Sequence, residues 1–308
     1  MQLDGKVAIV TGSGRGLGLA YAKELARRGA AVVVNDVDRE AAESARAELE
    51  GLGAKSVAVA APVGPTETAD ALVAAAVDEL GGLDIVVTNA GVLRDTVLWK
   101  MSDEDFDLVI NVHLRGTFTT VRAAASHMRE HGTAGRIICI GSPTGQRGTF
   151  GQTNYAAAKA GIVGMVRTWA LELKRAGITS NVVVPVAATA MTATVPYFAA
   201  AVEAQDAGEP IPDFYRKDLG FGTADDVAGL IAYLASDAAS GISGQVFGIG
   251  GDRLQLWTHP EVLHSAFRDG GWTFEALEAE LPAILEGRIQ GVGESFPPLP
   301  PEFDRTPA

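Results

Sequence analysis

Short apolar runs separated by longer amphipathic ones constrain this chain more than any other feature. "VAIVTG" at Val7–Gly12, "AVVVND" at Ala31–Asp36, "SVAVAA" at Ser56–Ala61 and "DIVVTN" at Asp84–Asn89 are each six residues long and contain two or three valines. "RIICIG", "ITSNVVVP" and "QVFGIG" continue the series further along the chain. Between them lie stretches with helical spacing, such as "LGLAYAKELARRGA", which ends at Gly29, and "REAAESARAELEGLG". Near-continuous apolar strands belong to parallel sheets covered on both faces. About seven of them alternating with helices predict an α/β, doubly wound, Rossmann-type parallel sheet. The region "SDEDFDLVINVHLRGTFTTVRAAASHMRE" reads as one long helical segment with Ser102 as its N-cap.

The alternation occupies residues 1–252. It is interrupted at 190–220 by a polar, proline-containing insertion, "EAQDAGEPIPDFYRKDLG". Residues 253–308 form an extension with one helical stretch, "FEALEAELPAILEG", and are expected to pack on the domain or on a partner subunit. The formal net charge of -13 argues against general binding to nucleic acid or anionic membrane. The single cysteine, Cys139, excludes an internal disulfide, and the five histidines are read as structural. No run of roughly 18 apolar residues suggests a spanning helix, and the N-terminus lacks the pattern of a signal peptide. A cytoplasmic protein with no metal site is the expectation.

Two motifs carry chemistry. "TGSGRGLG" at Thr11–Gly18 stands between the first strand and the first helix. Gly12, Gly16 and Gly18 there let backbone amides approach a pyrophosphate at a helix N-terminus, where the dipole favours anions. Asp36 ends the second strand, where an acid accepts hydrogen bonds from an adenosine ribose and repels the extra phosphate of NADP. Arg15, inside the glycine loop, pulls the other way. NAD is the expected cofactor on the weight of Asp36. The second motif is "YAAAK": Tyr155 and Lys159 lie four residues apart, on one face if helical. A lysine there favours the tyrosinate, so the pair can exchange protons with an alcohol or carbonyl.

From about Leu3 to Asp252 the chain resembles the short-chain dehydrogenase/reductase family. The glycine loop, "TNAG" at Thr88–Gly91, Ser142 after "RIICIG" and Tyr155 with Lys159 carry the likeness in order. The resemblance implies a catalytic tetrad of Asn111, Ser142, Tyr155 and Lys159. It also implies that Leu17, Asn89, Ala90, Gly91, Pro185 and Thr189 join the glycine loop in holding the dinucleotide. Lys159 would lower the tyrosine pKa and bind the nicotinamide ribose, and Ser142 would hold the substrate oxygen. Within the family, "GTFGQTNYAAAKAG" and its neighbours resemble the hydroxyacyl-CoA dehydrogenase part of peroxisomal multifunctional enzyme type 2. The function implied is NAD-dependent oxidation of a secondary alcohol, a 3-hydroxyacyl-CoA or a steroid-type substrate. The alternatives are an NADPH-dependent 3-oxoacyl thioester reductase and a non-catalytic dinucleotide-binding scaffold. Gln152, Met191, Phe214 and Tyr215 are candidate substrate contacts, and Arg94, Arg147, Arg216 and Lys217 are candidate cations at the pocket mouth. Ala157, Ala160, Gly161 and Gly164 would let the helix after Thr153 pair with its mate in a homodimer or homotetramer.

Overall fold

The computed structural model describes residues 2–188 and 195–303. Its centre is one eight-stranded sheet in the order β3-β2-β1-β4-β5-β6-β7-β8. In chain order the first half comprises β1 (Val7–Val10), α1 (Gly16–Arg27), β2 (Ala31–Asp36), α2 (Arg39–Gly51), β3 (Ser56–Ala60), α3 (Thr66–Ala74) and β4 (Ile85–Thr88). Next come α4 (Asp103–Val109), α5 (Gly116–Glu130), β5 (Arg136–Ile140), the short α6 (Pro143–Arg147) and α7 (Thr153–Glu172). The chain continues with β6 (Thr179–Pro185), α8 (Ala199–Asp206), α9 (Ala224–Ala235), β7 (Val246–Gly250), β8 (Arg253–Leu256) and α10 (Phe274–Leu285).

β1 through β7 pair in parallel, and each is where an apolar run predicts a strand. β8 is the addition: it runs antiparallel to β7 after a tight turn through Gly251, whose φ is +50°. Its four residues, "RLQL", are too short and too polar to announce a strand, and pairing with β7 supplies the hydrogen bonds that make it one. Gly251 leaves no room for a side chain, since a Cβ would stand 2.7 Å from the Arg216 carbonyl oxygen.

Both faces of the sheet are covered. Tyr21, Leu25, Leu49 and Ile231 pack on one side, and Leu72, Met128, Ile162 and Val166 on the other. That double burial is why β5 is buried along its whole length. A third apolar cluster, with Phe198, Tyr215, Leu219 and Phe221 at its heart, lies under the insertion and receives Leu299 and Phe303 from the C-terminal extension. The insertion is more ordered than its composition predicts. It contains α8 and a wide π turn at Phe214–Asp218.

The long helical region has a break in phase. α4 starts on Ser102, whose hydroxyl accepts from the Asp105 amide at 3.1 Å. It passes through a π turn at Ile110–Arg115 before resuming as α5. A π turn adds a residue to the helical repeat and rotates the side chains C-terminal to it, a device common beside functional sites.

Candidate active site

The carboxyl ends of β4, β5 and β6 and the start of α1 converge on one cavity of about 260 Å³. Strand order reverses between β1 and β4, and open α/β sheets bind ligands at such a point. Leu17, Asn89, Gly91, Ser142, Tyr155 and Lys159 are among its lining residues, as are Pro185 and Gln152.

The glycine loop forms one side. Gly12 has φ +62° and Gly16 φ +57°, conformations open to glycine but strained for other residues. A Cβ on Gly12 would sit 2.7 Å from the Ala90 Cα, so the loop after β1 and the loop after β4 touch backbone to backbone. A Cβ on Gly18 would collide with the Gly12 carbonyl. Asn89 closes this junction: its side-chain amide donates to the Thr11 and Gly12 carbonyls at 3.1 and 2.9 Å. α1 begins at Gly16 with no side-chain cap and no acid in its first turn, which leaves its N-terminal amides for an anion. Asp36 is nearly buried and held by backbone amides, from Gly14 at 3.2 Å and Asp38 at 3.1 Å. Arg15 turns outward and pairs with Asp38 at 2.7 Å. An uncapped helix N-terminus, a cradle that tolerates only glycine and a pinned carboxylate at the end of β2 together suit a dinucleotide.

The proton-handling groups form the other side. α7 puts Tyr155 and Lys159 one turn apart, with the Lys159 Nζ 5.5 Å from the centre of the tyrosine ring. Lys159 is 3% exposed, and its Nζ donates to the Ile140 carbonyl at 2.7 Å. Burial pulls its pKa down to about 7, with Cys139 opposing weakly. The Tyr155 pKa is raised rather than lowered, contrary to the sequence expectation. Burial is the main cause, a hydrogen bond with Ser142 pulls back, and Asp95 adds to the rise. Both charged forms lose hydration here, so desolvation outweighs the mutual help of the pair. Ser142 caps α6, its Oγ accepting from the Thr144 amide at 3.2 Å. Gln152 is fixed in the wall: Thr144 Oγ1 donates to its carbonyl oxygen at 3.0 Å, and its amide donates to Asp95 at 2.7 Å.

Asn111 is elsewhere. A Cβ on Gly64 would stand 2.7 Å from the Asn111 side-chain nitrogen, which places that side chain against the loop after β3. The cavity-facing residue of this helix is His113, two positions on. His113 lies within the π turn at Ile110–Arg115. Its Nε2 lies 2.8 Å from the Val92 carbonyl oxygen and 3.0 Å from the Val92 amide, so the ring tautomer decides whether it donates to the one or accepts from the other. Its ring meets Tyr155 edge-on at 5.1 Å. Burial, reinforced by Lys159, lowers its pKa to about 3, so the ring is a neutral imidazole. The five histidines form no cluster in the sequence that would single it out. Its place among the apolar positions between Val112 and Leu114 is the only signal.

The aromatic candidates are corrected as well. Tyr215 is fully buried in the cluster beneath the insertion, and Phe214 packs beside it against Phe303. Among the described residues, the phenylalanines that line the cavity are Phe198, Phe221 and Phe296. Arg216 is engaged by Asp226 at 3.0 Å and Asp252 at 2.7 Å, and Lys217 by Asp213 at 2.7 Å. Arg94 lies 3.5 Å from Asp105. Arg147 stacks over Trp257 at 5.4 Å. Thr189 and Met191 lie outside the described residues.

Topology, glycine cradle and the tyrosine–lysine pair define a nicotinamide-dependent oxidoreductase of the α/β class. The short chain dehydrogenase family profile matches residues 6–197, and the chain belongs to that family. A hydroxyacyl-CoA dehydrogenase, ChsB1, of Mycobacterium tuberculosis is 44% identical over 299 residues, covering 93% of this chain and 90% of its own. A 3-oxoacyl-[acyl-carrier-protein] reductase, FabG, of Thermotoga maritima is 39% identical over 253 residues, covering 82% and 98%. The peroxisomal multifunctional enzyme type 2 of Mus musculus is 44% identical over 204 residues, but this match spans 27% of that much longer chain. A short chain dehydrogenase structure from Mycobacterium avium superposes with a TM-score of 0.80 at 32% identity, covering 95% of this chain and 98% of its own. Among the described residues no helix is long and apolar enough to cross a membrane.

Proposed function

We propose that this chain is an NAD-dependent dehydrogenase that oxidises the secondary alcohol of a 3-hydroxyacyl-CoA. The observation that carries the reading is the meeting of Ser142, Tyr155 and Lys159 in one cavity beside the uncapped start of α1. The similarity to a hydroxyacyl-CoA dehydrogenase over nearly the whole chain favours the substrate class. Asp36 and the pairing of Arg15 with Asp38 favour NAD over NADP, because no free cation awaits a 2′-phosphate at those two positions.

Bound NAD would supply the hydride acceptor at its nicotinamide. Gly12, Gly16, Gly18, Asn89, Ala90 and Gly91 would hold it, with Asp36 at the adenosine ribose. Ser142 Oγ would orient the substrate oxygen, and Tyr155 Oη would take the alcohol proton. Lys159, with a pKa near neutrality, would hold the charge that stabilises the phenolate. His113 would keep the Tyr155 ring and the Gly91–Val92 loop in register.

The test is turnover of 3-hydroxyacyl-CoA thioesters with NAD and with NADP, followed by the absorbance of the reduced nicotinamide. Turnover with NAD in preference to NADP is expected. A preference for NADPH-driven reduction of 3-oxoacyl thioesters would favour the reductase reading. No turnover of any secondary alcohol with either nucleotide would leave a binding scaffold.

A further inference from the structure

The C-terminal extension is part of the cavity wall. Glu294 and Phe296 line it together with Arg253, the first residue of β8. Three kinds of contact hold this segment across the opening. The Gly293 amide donates to the Arg147 carbonyl at 2.8 Å. The Tyr197 hydroxyl donates to the Pro297 carbonyl at 2.6 Å. The Phe296 ring stacks on Tyr197 at 5.1 Å and meets Phe198 edge-on at 5.7 Å. Further along, Leu299 and Phe303 are seated in the apolar cluster with Tyr215.

Most of the lining is apolar, which makes Glu294 and Arg253 unusual neighbours. The Arg253 side chain is packed against Gly220, where a Cβ would meet its Nε at 2.5 Å. Burial raises the Glu294 pKa, while Arg147 and Arg253 pull it back. Such a wall offers one acceptor and one fork of donors to whatever fills the cavity. The group that satisfies both at once is one that donates and accepts from adjacent atoms, as a secondary amide does.

We propose that the strap Gly293–Phe303 closes the substrate side of the cavity, and that Glu294 and Arg253 recognise a secondary amide of the substrate's thioester arm. The N–H of that amide donates to Glu294, and its carbonyl accepts from Arg253. A CoA thioester carries such an amide a few bonds beyond its sulfur. This inference rests on the hydroxyacyl thioester reading and narrows it to the carrier end of the substrate. Phe296 packs against the arm between the amide and the reacting carbon.

The test compares two thioesters of one 3-hydroxyacyl group with NAD, an N-acetylcysteamine thioester and an S-alkyl thioester of equal length lacking the amide. The wild-type kcat/KM should favour the amide-bearing substrate by at least about tenfold, since a site built for a hydrogen-bonding group penalises its absence. Glu294→Ala should reduce that preference to about threefold or less, and Glu294→Gln, which keeps an acceptor, should retain more of it. Thermal unfolding of each variant checks that the fold persists, and the substrate ratio is insensitive to the amount of active protein. Equal kcat/KM for the two thioesters in the wild type, or an unchanged ratio in Glu294→Ala, overturns the amide contact and leaves the dehydrogenase reading standing. Turnover of simple secondary alcohols with no turnover of either thioester overturns the thioester reading and the amide contact together.

Discussion

At the scale of single residues, burial sets the chemistry of the cavity. Burial penalises the Lys159 cation, and its pKa falls from 10.5 to about 7. Between those two values the unfolded chain binds more protons than the folded one, so stability contributed at this site rises with pH. The penalty is full below pH about 7 and gone above the unfolded value. Lys159→Met should therefore raise the melting temperature near neutrality, and its advantage should shrink as the pH approaches 10. A constant difference across that range, read by calorimetry, would show that Lys159 titrates normally in the fold. Tyr155→Phe should lower turnover by about 10²-fold or more, the usual contribution of a general acid–base group. Dinucleotide binding by titration calorimetry should survive that change. Asp36→Ala should narrow the preference for NAD over NADP in kcat/KM. A wild type that favours NADP would mean that the pinned carboxylate does not govern the choice. His113 is invisible to spacing arguments, while Ser142, Tyr155 and Lys159 are legible because their motifs are local.

At the scale of elements, helix phase separates what can be read from what cannot. The sequence marks a long helix from Asp103 to Glu130 but not the π turn at Ile110–Arg115. The motif points to Asn111, whose side chain lies by Gly64, while His113 inside the turn lines the cavity. α7 presents Ala157, Ala160 and Gly164 to solvent, and a Cβ on Gly164 meets nothing within 4 Å. Leu171, further along the helix, is 78% exposed. Small residues on an exposed helix face suit close approach of a second copy. The wild type should run as a dimer or larger species by light scattering at micromolar concentration. Gly164→Glu should shift it towards monomer without an internal clash to destabilise the fold. A monomeric wild type would reduce this face to ordinary surface.

For the whole molecule, β1, β4, β5 and β6 belong to one hydrogen-bonded sheet, so a ligand bound at their carboxyl ends should stabilise the entire fold. NAD at about a hundred times its dissociation constant should add about 2.7 kcal/mol to the free energy of unfolding. NADP at the same concentration should add less, and a larger shift with NADP in a thermal melt would reverse the cofactor assignment. The alternation of apolar runs determined the sheet, its parallel pairing and the position of the glycine loop, because period and burial are local properties of a strand. It also placed Tyr155 and Lys159 on one helix face. The tertiary structure alone decided that β8 exists, since a four-residue polar segment becomes a strand only when a neighbour completes its hydrogen bonds. It alone decided which phenylalanines line the cavity: Phe214 and Tyr215 are indistinguishable in sequence from Phe198, Phe221 and Phe296. Phe198 and Phe221 share the buried cluster with Tyr215 and also reach the cavity, while the extension, folding back, adds Phe296 and Glu294 to the cavity wall.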